Sequence, residues 1–196
     1  MPKANLPIPL GFYTSQSLPI SSQRCINWIP TVMQGGALTP VALIHRPGIV
    51  QFADTALGAC RGAIVFDGVP YFVNGTSLVS VSNSGVVTTH GTVTGTARVS
   101  MAVGVLLETK NLVIVVPGGD AFVWDTTTFT QITDPDFQVS SSVTYDNGFF
   151  FFTASNGQQI FQSNLNQPLL YDALDTGTAD GSSDLIVTQV LDHGEL

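Results

Sequence analysis

From residue 61 onward the chain is written in short apolar runs separated by turn dipeptides. Residues 62–66 end at Asp67-Gly68, residues 71–73 at Asn74-Gly75 and residues 78–81 at Asn83-Ser84-Gly85, and residues 86–89 follow. Asp-Gly and Asn-Gly between β-rich runs mark hairpins, because both positions of such a turn tolerate positive φ. The pattern predicts four short strands joined as a meander.

The same texture then recurs. Residues 99–103, 112–116, 121–124 and 129–133 form a second set, with Pro117-Gly118-Gly119 as one of its turns. Residues 143–145, 149–153, 159–163 and 169–171 form a third, with turns at Asn147-Gly148 and Asn156-Gly157. Residues 185–191 read as the opening strand of a fourth. The sets start near 61, 98, 139 and 185, which are 37, 41 and 46 residues apart. A period of about 40 residues with four strands per unit is the mark of a β-propeller blade. A sandwich also has frequent turns but does not by itself produce this recurrence. The run Phe149–Phe152 suits a strand buried on both faces between neighbouring blades. Three blades and the start of a fourth do not close a ring, since propellers close with typically four to eight. The expectation is an incomplete propeller, the N-terminal portion of a longer protein, with bare blade faces that make the piece prone to aggregate.

The first fifty residues differ. They hold Lys3, Arg24 and Arg46 and no acid, a charge of +3, whereas residues 51–196 hold Arg61, Arg98 and Lys110 against all 14 acids, a charge of −11. Seven of the 11 prolines also fall there. A Pro-rich segment lacks the donors for a continuous ladder. The organisation predicted is an extended Pro-rich arm or clasp over residues 1–60, followed by blades over residues 61–196. Trp28 and Ile29, beside Ile26, are its candidate apolar anchor, and Arg24 and Arg46 are candidate partners for carboxylates. An edge element tucked against the same chain is the alternative.

Composition narrows the function. Only 10% of residues are charged, and 22 Val and 21 Thr with 19 Gly favour strands and tight turns. No apolar run approaches the roughly 20 residues of a membrane-spanning helix, so no membrane partner is expected. The N-terminus does not read as a secretory signal. A net charge of −8 argues against a protein that grips nucleic acid through many phosphates. These traits suit a soluble all-β protein of a cytosolic or virion-like compartment. Cys25 and Cys60 have no zinc-ligand spacing and read as unpaired thiols packed as small hydrophobes, or as one disulfide. His45, His90 and His193 are far apart and read as turn or surface residues. The acids Asp172, Asp175, Asp180 and Asp184 read as a solvated blade-to-blade loop rather than a Ca²⁺ site. No nucleophile elbow, HExxH or phosphate loop occurs, so neither an enzyme nor any cofactor is expected.

Several segments, in order, resemble one family: Asn27-Trp28-Ile29-Pro30, Arg46-Pro47-Gly48-Ile49, Arg61-Gly62, residues 96–102, Tyr145-Asp146-Asn147-Gly148, Asp172-Ala173-Leu174-Asp175, residues 181–184, and Asp192-His193-Gly194-Glu195-Leu196. Together they are similar to the packaged-DNA-stabilisation, or tail-hub, proteins of short-tailed bacteriophages. The chain departs from that pattern at Gly194, where relatives often carry Arg. The resemblance implies a structural virion protein that catalyses nothing, made in the host bacterial cytoplasm and built into the tail. It implies a ring of copies, a hexamer in the type member, docked below the portal and its adaptor. There it extends or plugs the channel to retain packaged DNA and carries needle, nozzle or fibre proteins. The competing reading is a propeller that binds or cleaves glycans.

Overall fold

The computed structural model describes residues 27–32, 41–106, 109–155, 157–179, 181 and 184–191. The chain divides into two compact units, Met1–Gln51 and Phe52–Leu196. Among the described residues all regular structure is β.

The first unit contains a two-stranded antiparallel sheet of β1 (Trp28–Val32) and β2 (Val41–His45), with Trp28 opposite His45 and Ile29 opposite Ile44. The sequence predicted an arm without a ladder. Pro30 is nevertheless accommodated opposite Leu43, because each strand of a two-stranded sheet has a free edge toward which the missing N–H can point. The Arg46 N–H donates to the Asn27 carbonyl at 3.0 Å and closes the strand ends.

The second unit carries three four-stranded antiparallel meanders. Blade 1 is β3 (Cys60–Phe66), β4 (Val69–Asn74), β5 (Ser77–Val81) and β6 (Val87–Thr92). Blade 2 is β7 (Ser100–Leu106), β8 (Thr109–Val115), β9 (Ala121–Trp124) and β10 (Phe129–Gln131). Blade 3 is β11 (Ser140–Asp146), β12 (Phe149–Ala154), β13 (Gln159–Asn164) and β14 (Gln167–Thr178). Two of the predicted two-residue turns are present as read, with Asp67 and Gly68 at φ 51° and 75° and Asn147 and Gly148 at 46° and 95°, whereas Asn74 ends β4 opposite Ser77 and the turn falls on Gly75 and Thr76, and Asn156 lies outside the described residues. Both positions of a type I′ turn require that left-handed region.

The blades stack face to face, and strand alternation assigns each side chain to an interface. Phe66, Tyr71, Val73 and Leu78 of blade 1 pack against Leu112, Ile114, Phe122 and Trp124 of blade 2. The intervening residues of blade 2, Val113, Val115, Ala121 and Val123, pack against Val143, Phe150, Phe152 and Phe161 of blade 3. The first strands of successive blades lie side by side. Their approach depends on glycine. A Cβ on Gly62 would stand 2.5 Å from Val99 Cγ2, and one on Gly104 would stand 2.5 Å from the Phe150 ring.

Four expectations are corrected. Among the described residues, 185–191 pair with no strand. A strand exists through its ladder, and this segment meets blade 3 through the Gln189 side chain, whose amide donates to the Phe151 carbonyl. Asp172 and Asp175 belong to β14 rather than to a loop, and the Asp172 carboxylate accepts the Leu174 N–H at 2.9 Å. His90 lies on β6 between blades, 4.5 Å ring to ring from Trp124. Cys60 is a free thiol but exposed, because it opens β3 where no blade covers it. Cys25, Asp180 and His193 lie outside the described residues.

Candidate functional site

Among the described residues no three His, Cys, Asp or Glu side chains gather as a metal cluster. The nearest approach to a catalytic pair is Ser80 Oγ with His90 Nε2 at 2.8 Å. Tyr71 and Trp124 flank that imidazole at ring distances of 5.3 and 4.5 Å. Burial pulls the His90 pKa below its ordinary 6.5. With its Nε2 on a serine inside a blade interface, the ring is part of the packing there: the Trp124 indole N–H in turn donates to the Tyr71 hydroxyl at 3.3 Å. The features that remain are surfaces and the clamps that shape them.

The strongest clamp is Arg61, only 6% exposed. Cys60 pairs with Asn74 and Gly62 with Val73, so Arg61 is the extra residue of a β-bulge. A bulge re-aims its side chain out of the regular alternation. The guanidinium reaches the segment linking blades 1 and 2. Nε donates to the Ala97 carbonyl at 2.7 Å, Nη1 to Gly75 and Val93 at 3.0 Å each, and Nη2 to Thr94 at 2.7 Å. Burial lowers its pKa, yet a guanidinium stays charged. The cation is satisfied by carbonyl dipoles and fixes the linker. Sequence reasoning noted Arg61 only within a family motif. The signal available was a basic residue at the start of an apolar strand in a chain with six basic residues.

Arg24 lies outside the described residues. The other three candidate interface residues are in the two-stranded sheet, and that sheet separates them. Directly opposed residues of an antiparallel pair share a face, and neighbours along a strand do not. Trp28 therefore sits with His45, edge to face at 5.6 Å, while Ile29 sits with Ile44 on the opposite face. Trp28 and Ile29 are each 48% exposed, and Arg46 is exposed beyond β2. Both faces of the sheet thus present apolar surface.

Several recesses mark the second unit, and two of them bear on partners. One, of about 500 Å³, lies on the blade-1 face that points away from blade 2, lined by Phe52, Pro70, Phe72 and Val81. The other, of about 860 Å³, opens at the turn end of the blades. Its walls are Val123, Thr128 and Thr130 of blade 2 and Pro168, Leu169 and Leu170 of blade 3, with Asp67, Lys110 and Asp125 around them. The Lys110 ammonium pairs with the Asp67 carboxylate at the rim. Hydroxyls, amides and aliphatic groups line this groove, with no aromatic ring among them.

The sequence matches the family described as bacteriophage P22 Gp10, beta-propeller, over residues 4–196. A search of the curated proteins finds no match. Among solved structures, the chain is similar to virginiamycin B lyase from Staphylococcus aureus, at 14% identity and a TM-score of 0.45, covering 72% of this chain and 46% of that one. It is also similar to the Pan2 WD40 domain of Neurospora crassa, at 12% identity and a TM-score of 0.42, covering 71% of this chain and 39% of that one. The chain therefore spans less than half the length of either solved relative.

Proposed function

The chain belongs to the phage-stabilisation family of bacteriophage P22 Gp10 β-propellers, and we propose on that basis that it is part of the tail hub, docked below the portal and its adaptor. In that place it extends or plugs the channel that retains packaged DNA and carries needle, nozzle or fibre proteins. Copies assemble side by side in a ring, six in number as in the type member. Membership in this family supports a phage structural role, and a place in the virion without catalysis is part of the same reading.

The observation that carries the finer reading is a stack of rigid blades with apolar surface left open for partners. Besides the strand ladders, turns and the Arg61 clamp, the unit is held by two aromatic and aliphatic cores. The two-stranded sheet of the first unit shows half-exposed Trp28, Ile29 and Ile44. A hairpin of two strands is at best marginally stable alone in water, which suits a clasp that gains its stability on a partner. Trp28 is the larger anchor of such a contact, and exposed charge pairs made by Arg24 and Arg46 add only about 0–1 kcal/mol each.

Purified virions labelled with an antibody against this chain test the position: label at the tail base supports it, and label on the capsid shell or on no particle defeats it. For the clasp, Trp28→Ala is expected to impair incorporation into virions more than the Arg24→Ala/Arg46→Ala pair. The reverse order would show that charge dominates.

A further inference from the structure

We propose that the groove of about 860 Å³ at the turn end of blades 2 and 3 binds a neutral oligosaccharide through the hydroxyls of Thr126, Thr128 and Thr130 and the side-chain amides of Asn111, Asn166 and Gln167. The site is independent of the assembly proposed above.

The groove lies across the face of blade 2. Asn111 comes from β8, Val123 from β9 and Thr130 from β10. The Phe129 ring lies against Gly91 of blade 1. The residues on either side of it, Thr128 and Thr130, therefore project the opposite way, into the groove. The turn between β13 and β14 supplies the facing wall. Asn166 sits there at φ 56°, and its N–H donates to the Gly148 carbonyl at 2.8 Å. The Tyr171 hydroxyl donates to the Pro168 carbonyl at 2.7 Å and fixes the strand that follows. Both walls are in place before a ligand arrives, which lowers the cost of binding. The volume falls within the roughly 300–1,000 Å³ of small-ligand sites.

Charge and hydrogen bonding select the ligand class. The charged groups are already engaged: the Lys110 ammonium with the Asp67 carboxylate, and the Asp125 carboxylate with the N–H groups of Thr127 and Thr128. No cation is left to draw an anionic ligand to this acidic body. Three hydroxyls and three carboxamides remain, each able to donate and to accept. A polyhydroxylated ligand offers the same mixture. The exposed Leu169 and Leu170 give apolar surface for the C–H face of a sugar ring. A peptide fits less well. β8 and β9 are interior strands, paired on both sides, so a peptide lying across them finds no open ladder of the kind that recognises extended chains.

The strongest sign of a contact role is Thr126. Its φ is 77°, a left-handed backbone that strains a β-branched residue and that glycine adopts freely. The nearby turns place Asp67, Gly68 and Asn166 in that region, residue types suited to it. A threonine kept in a strained turn beside a cavity points to a side chain retained for contact.

The test is binding of the full chain to an array of neutral hexose and deoxyhexose oligosaccharides, with uronate- and sialate-bearing oligosaccharides and short unstructured peptides beside them. Binding is expected on neutral sugars alone. Thr128→Val together with Thr130→Val keeps the shape and removes two hydroxyls; it should weaken binding at least tenfold with the Tm held. Thr88→Val, at an exposed position on β6 outside the groove, should change nothing. Thr126→Gly should raise the Tm and still weaken binding, a combination that a purely structural threonine would not give. The proposal is overturned if no neutral sugar binds, if acidic sugars or peptides bind in their place, or if the double variant keeps full affinity. Full affinity in Thr126→Gly, or an equal loss in Thr88→Val, overturns it as well.

Discussion

Two apolar runs look alike in sequence and differ in the fold. Residues 112–116 are all buried, with Leu112, Val113, Ile114 and Val115 at 0% exposure. In Phe149–Phe152 only Phe150 and Phe152 are buried, while Phe149 and Phe151 are half-buried. The first run lies in the middle blade, which has a neighbour on each side. The second lies in blade 3, which has blade 2 on one side only. Hydrophobicity therefore records that a face is made for burial, and the position of the blade in the stack determines what does the burying. The two interfaces also differ in kind. Blade 1 meets blade 2 through a mixed set that includes Ser80, His90, Tyr71 and the indole of Trp124. Blade 2 meets blade 3 through aliphatic side chains set against a phenylalanine cluster, with Phe152 stacked on Phe161 at 5.1 Å and Phe137 edge-on to both.

The largest effect is expected at the clamp that belongs to the first interface alone. Arg61→Met removes the donors to four carbonyls and should cost on the order of 3–5 kcal/mol, since buried acceptors lose their partners together. Urea unfolding measures it; a loss below about 1 kcal/mol would mean that water replaces the guanidinium and that the clamp is dispensable.

The alternation within β12 comes next. Phe152→Ala is expected to cost about 3–5 kcal/mol, and Phe151→Ala about 1 kcal/mol, because its ring is only half removed from water. Equal losses would break the contrast between the covered and open faces of blade 3.

The close approach of first strands gives a smaller effect. Gly104→Ala places a methyl group against the Phe150 and Tyr145 rings and should cost about 1–3 kcal/mol by overpacking. Gly177→Ala, on β14 with nothing within 4 Å of the new carbon, should stay within about 0.5 kcal/mol. If both are neutral, the first strands have room to shift and the glycine is not what permits their contact.

The smallest effect is a pH dependence confined to the mixed interface. The His90 pKa is lowered in the folded chain by burial. Above pH 6.5 both folded and unfolded forms are neutral, and the group contributes no slope. As pH falls below 6.5 the unfolded chain takes the proton first, so stability declines until the folded form also titrates. His90→Gln should remove that decline from the Tm profile between pH 7.5 and pH 5. An unchanged profile would assign the slope to other groups.

Much of the architecture was legible along the chain. Period-2 alternation and paired Asp-Gly and Asn-Gly turns are local signals, so the strands and their meander order followed from them, and strand ends moved by only a few residues. β14 is the exception: residues 169–171 were expected and Gln167–Thr178 are found, because its register breaks depend on what β13 offers opposite. Repetition near 40 residues carried the propeller reading. The candidate interface was less legible. Trp28 and Ile29 are adjacent in sequence, and a single apolar patch was expected of them. The pairing of β1 with β2 puts them on opposite faces, which no local pattern near Pro30 announced.

The sequence by itself determined where strands start and turn, which residues alternate toward a core, and the division into a basic, proline-rich half and an acidic body, since these depend on neighbours a few positions apart or on composition. Only the tertiary structure decided what depends on long-range partners. It set which face of each blade is covered, drew Arg61 onto carbonyls 14 to 36 residues away, and made His90 a member of an interface. It also joined residues of blades 2 and 3 into one groove. A side chain's burial and hydrogen bonds depend on which distant backbone arrives beside it, and that is settled when the blades stack.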